Sequence, residues 1–188
     1  FHNNQPVNLT ISTTEAANRN IICENLTVTA GNTLTVSSGY SLTIQGDMDI
    51  QGELIIESGA SLITFAGNQM DEVTIRRNTR YADGKYSFVG SPIEQSVENL
   101  GSDLGSWVYE YDETVSYGSD GLARWEDAGA SELEPGKGYA QAGQRELVFT
   151  GIPNAGDIIY NATYTDRSDV NDGWNLIANP YASSISVE

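Results

Sequence analysis

Leu26-Thr27-Val28, Leu34-Thr35-Val36, Leu42-Thr43-Ile44, Met48-Asp49-Ile50, Leu54-Ile55-Ile56, Leu62-Ile63-Thr64 and Val73-Thr74-Ile75 repeat one short unit between residues 24 and 75. An apolar residue, a middle residue and, in most copies, a second apolar residue are followed by Gly, Ser or Asn, a pattern that reads as a short strand closed by a turn. Side chains alternate along a strand. The outer residues of most units therefore share one face, while Thr27, Thr35, Thr43 and Asp49 take the other.

The units begin at 26, 34, 42, 48, 54, 62 and 73. Strands so short form either a hairpin meander or the successive sides of a parallel β-helix coil. Taking every third copy pairs 26 with 48, 34 with 54 and 42 with 62, separations of 22, 20 and 20 that match one three-sided coil. The connectors Ala30-Gly31-Asn32, Ser38-Gly39-Tyr40 and Ser58-Gly59-Ala60 lack the Asn-Gly or Asp-Gly of tight hairpins and suit repeated corners. The spacing favours the β-helix.

Outward from this repeat, residues 1–23 read as a cap or polar segment. Ser12-Thr13-Thr14-Glu15-Ala16-Ala17 is either a short helix start, with Ser12 as N-cap and Glu15 three residues on, or a polar loop. The repeat region spans 24–80 and ends in Arg76-Arg77-Asn78-Thr79-Arg80, whose cations pair with an acidic surface or form a small anion site. Residues 81–188 carry longer aromatic strands at 86–89, 106–111, 146–150 and 157–160, broken by Gly118-Ser119-Asp120-Gly121, Glu134-Pro135-Gly136-Lys137-Gly138, Gly151-Ile152-Pro153-Asn154 and Asn171-Asp172-Gly173. That spacing predicts an antiparallel β-sandwich-like domain, with helical character legible only around 96–100. The fold expected is all-β: a short parallel β-helix, then an antiparallel sandwich.

Acidic residues outnumber basic ones by 26 to 9, for a formal charge of −17. Nucleic acid or an anionic membrane surface requires a basic face, and this chain has none to offer. Hydrophobic residues at 39%, with 19 Gly and 5 Pro, bury a core with many turns and exclude the collagen-like and disordered classes. No apolar run approaches the ~18 residues of a membrane span. The start at Phe1, without a charged leader, implies a mature product whose signal peptide has been removed. Cys23, flanked by Ile21, Ile22 and Leu26, reads as a buried structural thiol.

An internal echo is the most specific feature. Tyr86-Ser87-Phe88-Val89-Gly90-Ser91-Pro92-Ile93-Glu94-Gln95-Ser96-Val97 aligns without gaps on Trp174-Asn175-Leu176-Ile177-Ala178-Asn179-Pro180-Tyr181-Ala182-Ser183-Ser184-Ile185, an offset of 88. Each copy is an aromatic-led strand that leaves its sheet at Pro, which has no donor for the ladder. The run Gly173–Tyr181, with Leu133-Glu134-Pro135-Gly136-Lys137-Gly138-Tyr139-Ala140 and Phe149-Thr150-Gly151-Ile152-Pro153-Asn154-Ala155-Gly156-Asp157, resembles stretches of the large adhesin-like surface proteins exported by the type IX secretion system of Bacteroidota. The resemblance covers about residues 81–188, and the preceding repeat resembles their β-helical segments. It departs at Ala178, where the family usually has Gly, and at Ala182, where it often has Pro. It implies export to the cell surface within a longer parent protein.

Chemistry is sparse. The only His, His2, stands beside the terminus and reads as a solvated imidazole, leaving neither a zinc site nor a Ser-His-Asp arrangement to assemble. Gly136-Lys137-Gly138 lacks the spacing of a phosphate loop. No carboxylate pair stands out among the many acids. For calcium, an EF-hand register ending at Gly173 would need a ligand at Val170. A looser site remains at Asp166, Asp169 and Asp172, or at Asp112-Glu113 with Asp120, against the alternative of solvated loops. Trp107, Tyr109, Tyr111, Tyr117 and Trp125 concentrate aromatics beside acids, as sugar stacking requires. Trp107, Tyr109 and Tyr111 share one strand face by the period of two, and burial of that face in a sandwich core is the competing reading. The sequence thus predicts a non-enzymatic, extracellular structural or adhesive module, able to form fibres with itself or bind other surface proteins. Its alternative is a carbohydrate-binding module of a secreted polysaccharide-active protein. Calcium is the only cofactor it suggests.

Overall fold

The computed structural model describes residues 7–79, 85–96, 108–116, 124–129, 132–143, 146–168 and 172–185. Nine short strands wind three coils: β1 (Leu9–Ile11), β2 (Glu15–Ala17) and β3 (Ile21–Cys23); β4 (Leu26–Val28), β5 (Thr33–Val36) and β6 (Ser41–Ile44); β7 (Met48–Ile50), β8 (Glu53–Ile56) and β9 (Ser61–Ile63). They stack in parallel as three walls, β1-β4-β7, β2-β5-β8 and β3-β6-β9. Leu26 pairs with Met48, Leu34 with Leu54 and Leu42 with Leu62, the every-third register read from the spacing.

The coils close because each wall sends its aliphatic side chains inward. Leu26, Val28, Val36, Leu42, Ile44 and Ile56 are completely buried, each contributing about 1.5–3 kcal/mol relative to exposure. Polar side chains hold the corners by accepting from the backbone of the next coil. Thr14 Oγ1 accepts from Thr33 N–H, Asn20 Oδ1 from Ser41, Asn25 Oδ1 from Asp47 and Asp47 Oδ1 from Gln69. Gly52 fills a corner where any Cβ would strike the carbonyls of Thr29 and Asn32.

Two expectations change here. Residues 12–17 are not a helix: residues 12–14 form an exposed polar corner, and Glu15–Ala17 is a strand laddered to β5, so that residues 9–23 supply the first coil. Pairing with the next coil decides its state: only Ala17 is buried, and Glu15 is exposed at the register of Leu34. The opposite end of the solenoid is covered by later chain. β10 (Val73–Asn78) adds to β8, and β17 (Glu146–Gly151) adds antiparallel to β10. Met48 N–H donates to Gln69 O at 2.9 Å, and Leu62 N–H to Ala182 O at 3.0 Å. The strand at 146–150 therefore joins the solenoid wall across the boundary expected at residue 80.

The other strands of the second half are antiparallel. β11 (Tyr86–Val89), β16 (Tyr139–Ala142), β13 (Val108–Tyr111) and β14 (Trp125–Asp127) form a four-stranded sheet in that order, and β12 (Gln95–Ser96) pairs with β15 (Glu132–Leu133). Ser96 is thus in a strand, while residues 97–100 lie outside the described ones. The strand expected at 157–160 is absent, and Ile159 is exposed. From 152 to 185 the ladder is reduced, among the described residues, to one bridge between Ile177 and Lys137. The architecture is all-β: a three-coil solenoid followed by an antiparallel sheet. Buried apolar residues of both parts form one cluster running from Ile11 to Ala182.

The two copies of the echo meet in space. Ala178 lies against Gly90 at a distance that only a missing Cβ permits. Asn154 ties the copies together, its Nδ2 donating to Pro180 O at 2.8 Å and to Ser91 O at 3.4 Å. Both leave through the same small turn: Ile93 N–H donates to Ser91 Oγ and Tyr181 N–H to Asn179 Oδ1.

Candidate functional site

Register sorts the four-stranded sheet into two unlike faces. Phe88 pairs with Ala140, Ala140 with Tyr109, Tyr86 with Ala142 and Tyr111 with Trp125, and cross-strand partners share a face. Tyr86, Phe88, Tyr109, Tyr111 and Trp125 therefore flank Ala140 and Ala142 on one side. Ser87, Val108, Tyr139 and Gln141 occupy the reverse side and are buried. On the aromatic side Phe88 is 69% and Tyr86 53% exposed, and Tyr109, Tyr111 and Trp125 are half-buried.

The rings support one another edge to face, Tyr86 on Tyr109 with centroids 5.9 Å apart and Tyr111 on Trp125 at 5.2 Å. Ala140 between them is buried. The buried reverse face anchors the platform. Lys137 Nζ donates to Glu110 Oε2 at 2.5 Å and lies 5.6 Å from the centre of the Tyr139 ring. Desolvation draws the Lys137 pKa down, but its hydrogen bond and charge contact with Glu110 outweigh this and raise it.

At the Tyr111 end a polar cluster fixes the hairpin. Arg124, fully buried, donates to Tyr111 Oη at 3.3 Å, to Val115 O at 2.7 Å and to Asp172 Oδ1 at 2.8 Å. The hydrogen bonds to Tyr111 and Asp172 push its pKa further up. Glu113 is also buried, and Thr165 donates to it through both N–H and hydroxyl. Desolvation would raise this carboxyl, yet hydrogen bonds from Thr163, Thr165 and Gly173 hold its pKa below the usual range.

The structure thus brings Tyr109, Tyr111 and Trp125 together, while Trp107 and Tyr117 lie outside the described residues. The competing core reading is reversed for Tyr109 and Tyr111, whose face is the open one; burial falls on Val108 and the rest of the reverse face. Of the calcium candidates, Asp172 is committed to Arg124 and to the Arg167 N–H. Asp166 accepts from Ser168 N–H, and Asp112 from the N–H and hydroxyl of Thr114. Asp169 and Asp120 lie outside the described residues. Among the described residues no three His, Cys, Asp or Glu side chains converge to hold a metal ion. Cys23 is buried against Thr43 O, and burial with the neighbouring Glu24 charge pushes its thiol up to about 11.

Sequence reasoning missed Tyr86 and Phe88 as members of the face. Their signal is the alternation Tyr86-Ser87-Phe88-Val89, whose open side only the pairing with β16 reveals.

A family model described as Domain of unknown function (DUF8693) matches residues 2–188, nearly the whole chain. The chain belongs to this DUF8693 family. Comparison of this DUF8693 chain with curated proteins and with solved structures gives no match.

Proposed function

We propose that this DUF8693 chain is a non-enzymatic adhesive module of the bacterial cell surface that holds polysaccharide on the aromatic face of its antiparallel sheet. The observation that carries the reading is the side-by-side placement of Tyr86, Phe88, Tyr109, Tyr111 and Trp125 on the face turned away from the core. Aromatic rings present apolar planes that match the C–H faces of sugar rings, and Tyr hydroxyls with exposed Asp127 supply partners for sugar hydroxyls. The rigid solenoid serves as the stalk. Resemblance to type IX-exported surface proteins supports an extracellular location within a longer parent. Such a module is favoured over a head-to-tail fibre, because the last coil of the solenoid already pairs with β10, β17 and Ala182 of its own chain.

Affinity electrophoresis through gels containing neutral polysaccharides tests the reading. Retardation by at least one glycan is expected, with Trp125→Ala and Tyr109→Ala each weakening it about tenfold. Retardation unchanged in both variants, or hydrolysis of a polysaccharide by the purified chain, overturns it.

A further inference from the structure

Between the two copies of the echo lies a cavity of about 610 Å3, within the range that accommodates small ligands. Its walls come from residues 87–92 of the first copy, 177–184 of the second, β17 and the covered end of the solenoid. Three features of the lining bear on what it can hold. Arg77 donates to Arg76 O at 2.9 Å and to Ala182 O at 3.2 Å, but no carboxylate pairs with it among the described residues. Arg76, Arg124 and Lys137 each have a carboxylate partner, whereas Arg77, the basic residue on this cavity's wall, is held by backbone carbonyls. Burial disfavours its charge, as expected of a cation that lacks a counterion. Ser87 is buried and its hydroxyl has no hydrogen-bond partner, an omission that costs free energy unless a ligand supplies one. Ile177 lines the same cavity while 67% exposed, giving it an apolar lip.

We infer that this cavity binds a carboxylate-bearing sugar, with Arg77 as the charge partner of its carboxylate and Ser87 as a hydrogen-bond partner of a ring hydroxyl. One planar guanidinium matches one carboxylate in bidentate geometry, whereas a phosphate dianion ordinarily gathers several cations. A neutral sugar would leave Arg77 as unpaired as it is now. The chain's charge of −17 repels anions at long range, so a carboxylate ligand requires a local cation, and Arg77 is the one the cavity supplies. The site is separate from the polysaccharide reading, because its probe is a monosaccharide acid and either test can fail alone.

The experiment is isothermal titration of the chain with galacturonate, its methyl ester, galactose and acetylated glutamate at neutral pH. Galacturonate is expected to bind, and the ester and galactose about tenfold or more weakly. Arg77→Gln brings galacturonate down to the level of the ester, and Ser87→Ala weakens it about threefold. The inference is overturned by no heat with galacturonate at about 10 mM, by equal binding of the ester, or by acetylated glutamate binding as tightly as the sugar acid. Unchanged binding in Arg77→Gln also overturns it. Should that variant not fold, Ser87→Ala and the ester comparison decide in the same way.

Discussion

The solenoid and the stretch from 152 to 185 are comparably short pieces of chain held by different bonds. In the solenoid each three- or four-residue strand is laddered to the coil beside it, and its inward aliphatics share one core, so cohesion is spread over many equivalent positions. The later stretch has one bridge among its described residues and is pinned by side chains: Asn154 to two carbonyls, Asn175 to Thr163 O, Asn179 to Ser183 O and Asp172 to Arg124. A repeat tolerates change at its outward positions and fails at its inward ones. A pinned segment depends on a handful of polar groups whose loss leaves buried partners unsatisfied.

The contrast is sharpest in Leu34→Ala. Leu34 packs in the middle coil at 1% exposure, and its truncation is expected to cost about 2–5 kcal/mol in denaturant unfolding. Thr35→Ala, on the outward face of the same strand, should change stability by no more than about 0.5 kcal/mol. Equal losses for the two would break the picture of an inward-loaded repeat.

Next in size is Asp172→Ala. It removes the Asp172 carboxylate from the buried Arg124 guanidinium, and a drop in Tm on the order of 5 °C is expected, with faster proteolysis between 152 and 185 than in the solenoid. Cleavage that starts in the solenoid instead would show that the pins do not govern the later stretch.

The smallest effect is one of pH. Glu113 has a folded pKa below its unfolded one, so its contribution is complete above the unfolded carboxylate value of about 4.3 and disappears as pH falls through the folded value. Thermal melts of the native chain should therefore lose more stability between about pH 5 and 3 than those of Glu113→Gln. Parallel pH profiles would remove Glu113 from the set of pins.

How much of this was legible follows from the same physics. Three pairings of the solenoid could be read from residue spacing because every coil repeats the same inward residues, and even the missed first coil holds its place by register with β5 rather than by pattern of its own. Tyr109, Tyr111 and Trp125 could be recognised as candidates by type and period. Which way they faced could not, because the alternation Trp107 to Tyr111 is the same whether that side is core or surface.

Local sequence by itself determined the strands of the second and third coils, their register from Leu26 onward, and the matched exits of the two echo copies at Ser91 and Asn179, each set by side chains within a few residues or one coil of their partners. Only the tertiary structure decided that β17 would close the solenoid, that the aromatic face would be the open one, and that Asp172 would serve Arg124. The partners in that last bond lie 48 residues apart, and β10 meets β17 across more than 60. No periodicity links residues so distant; the choice falls to whichever arrangement buries Leu147 and Phe149 and brings a carboxylate to the buried Arg124.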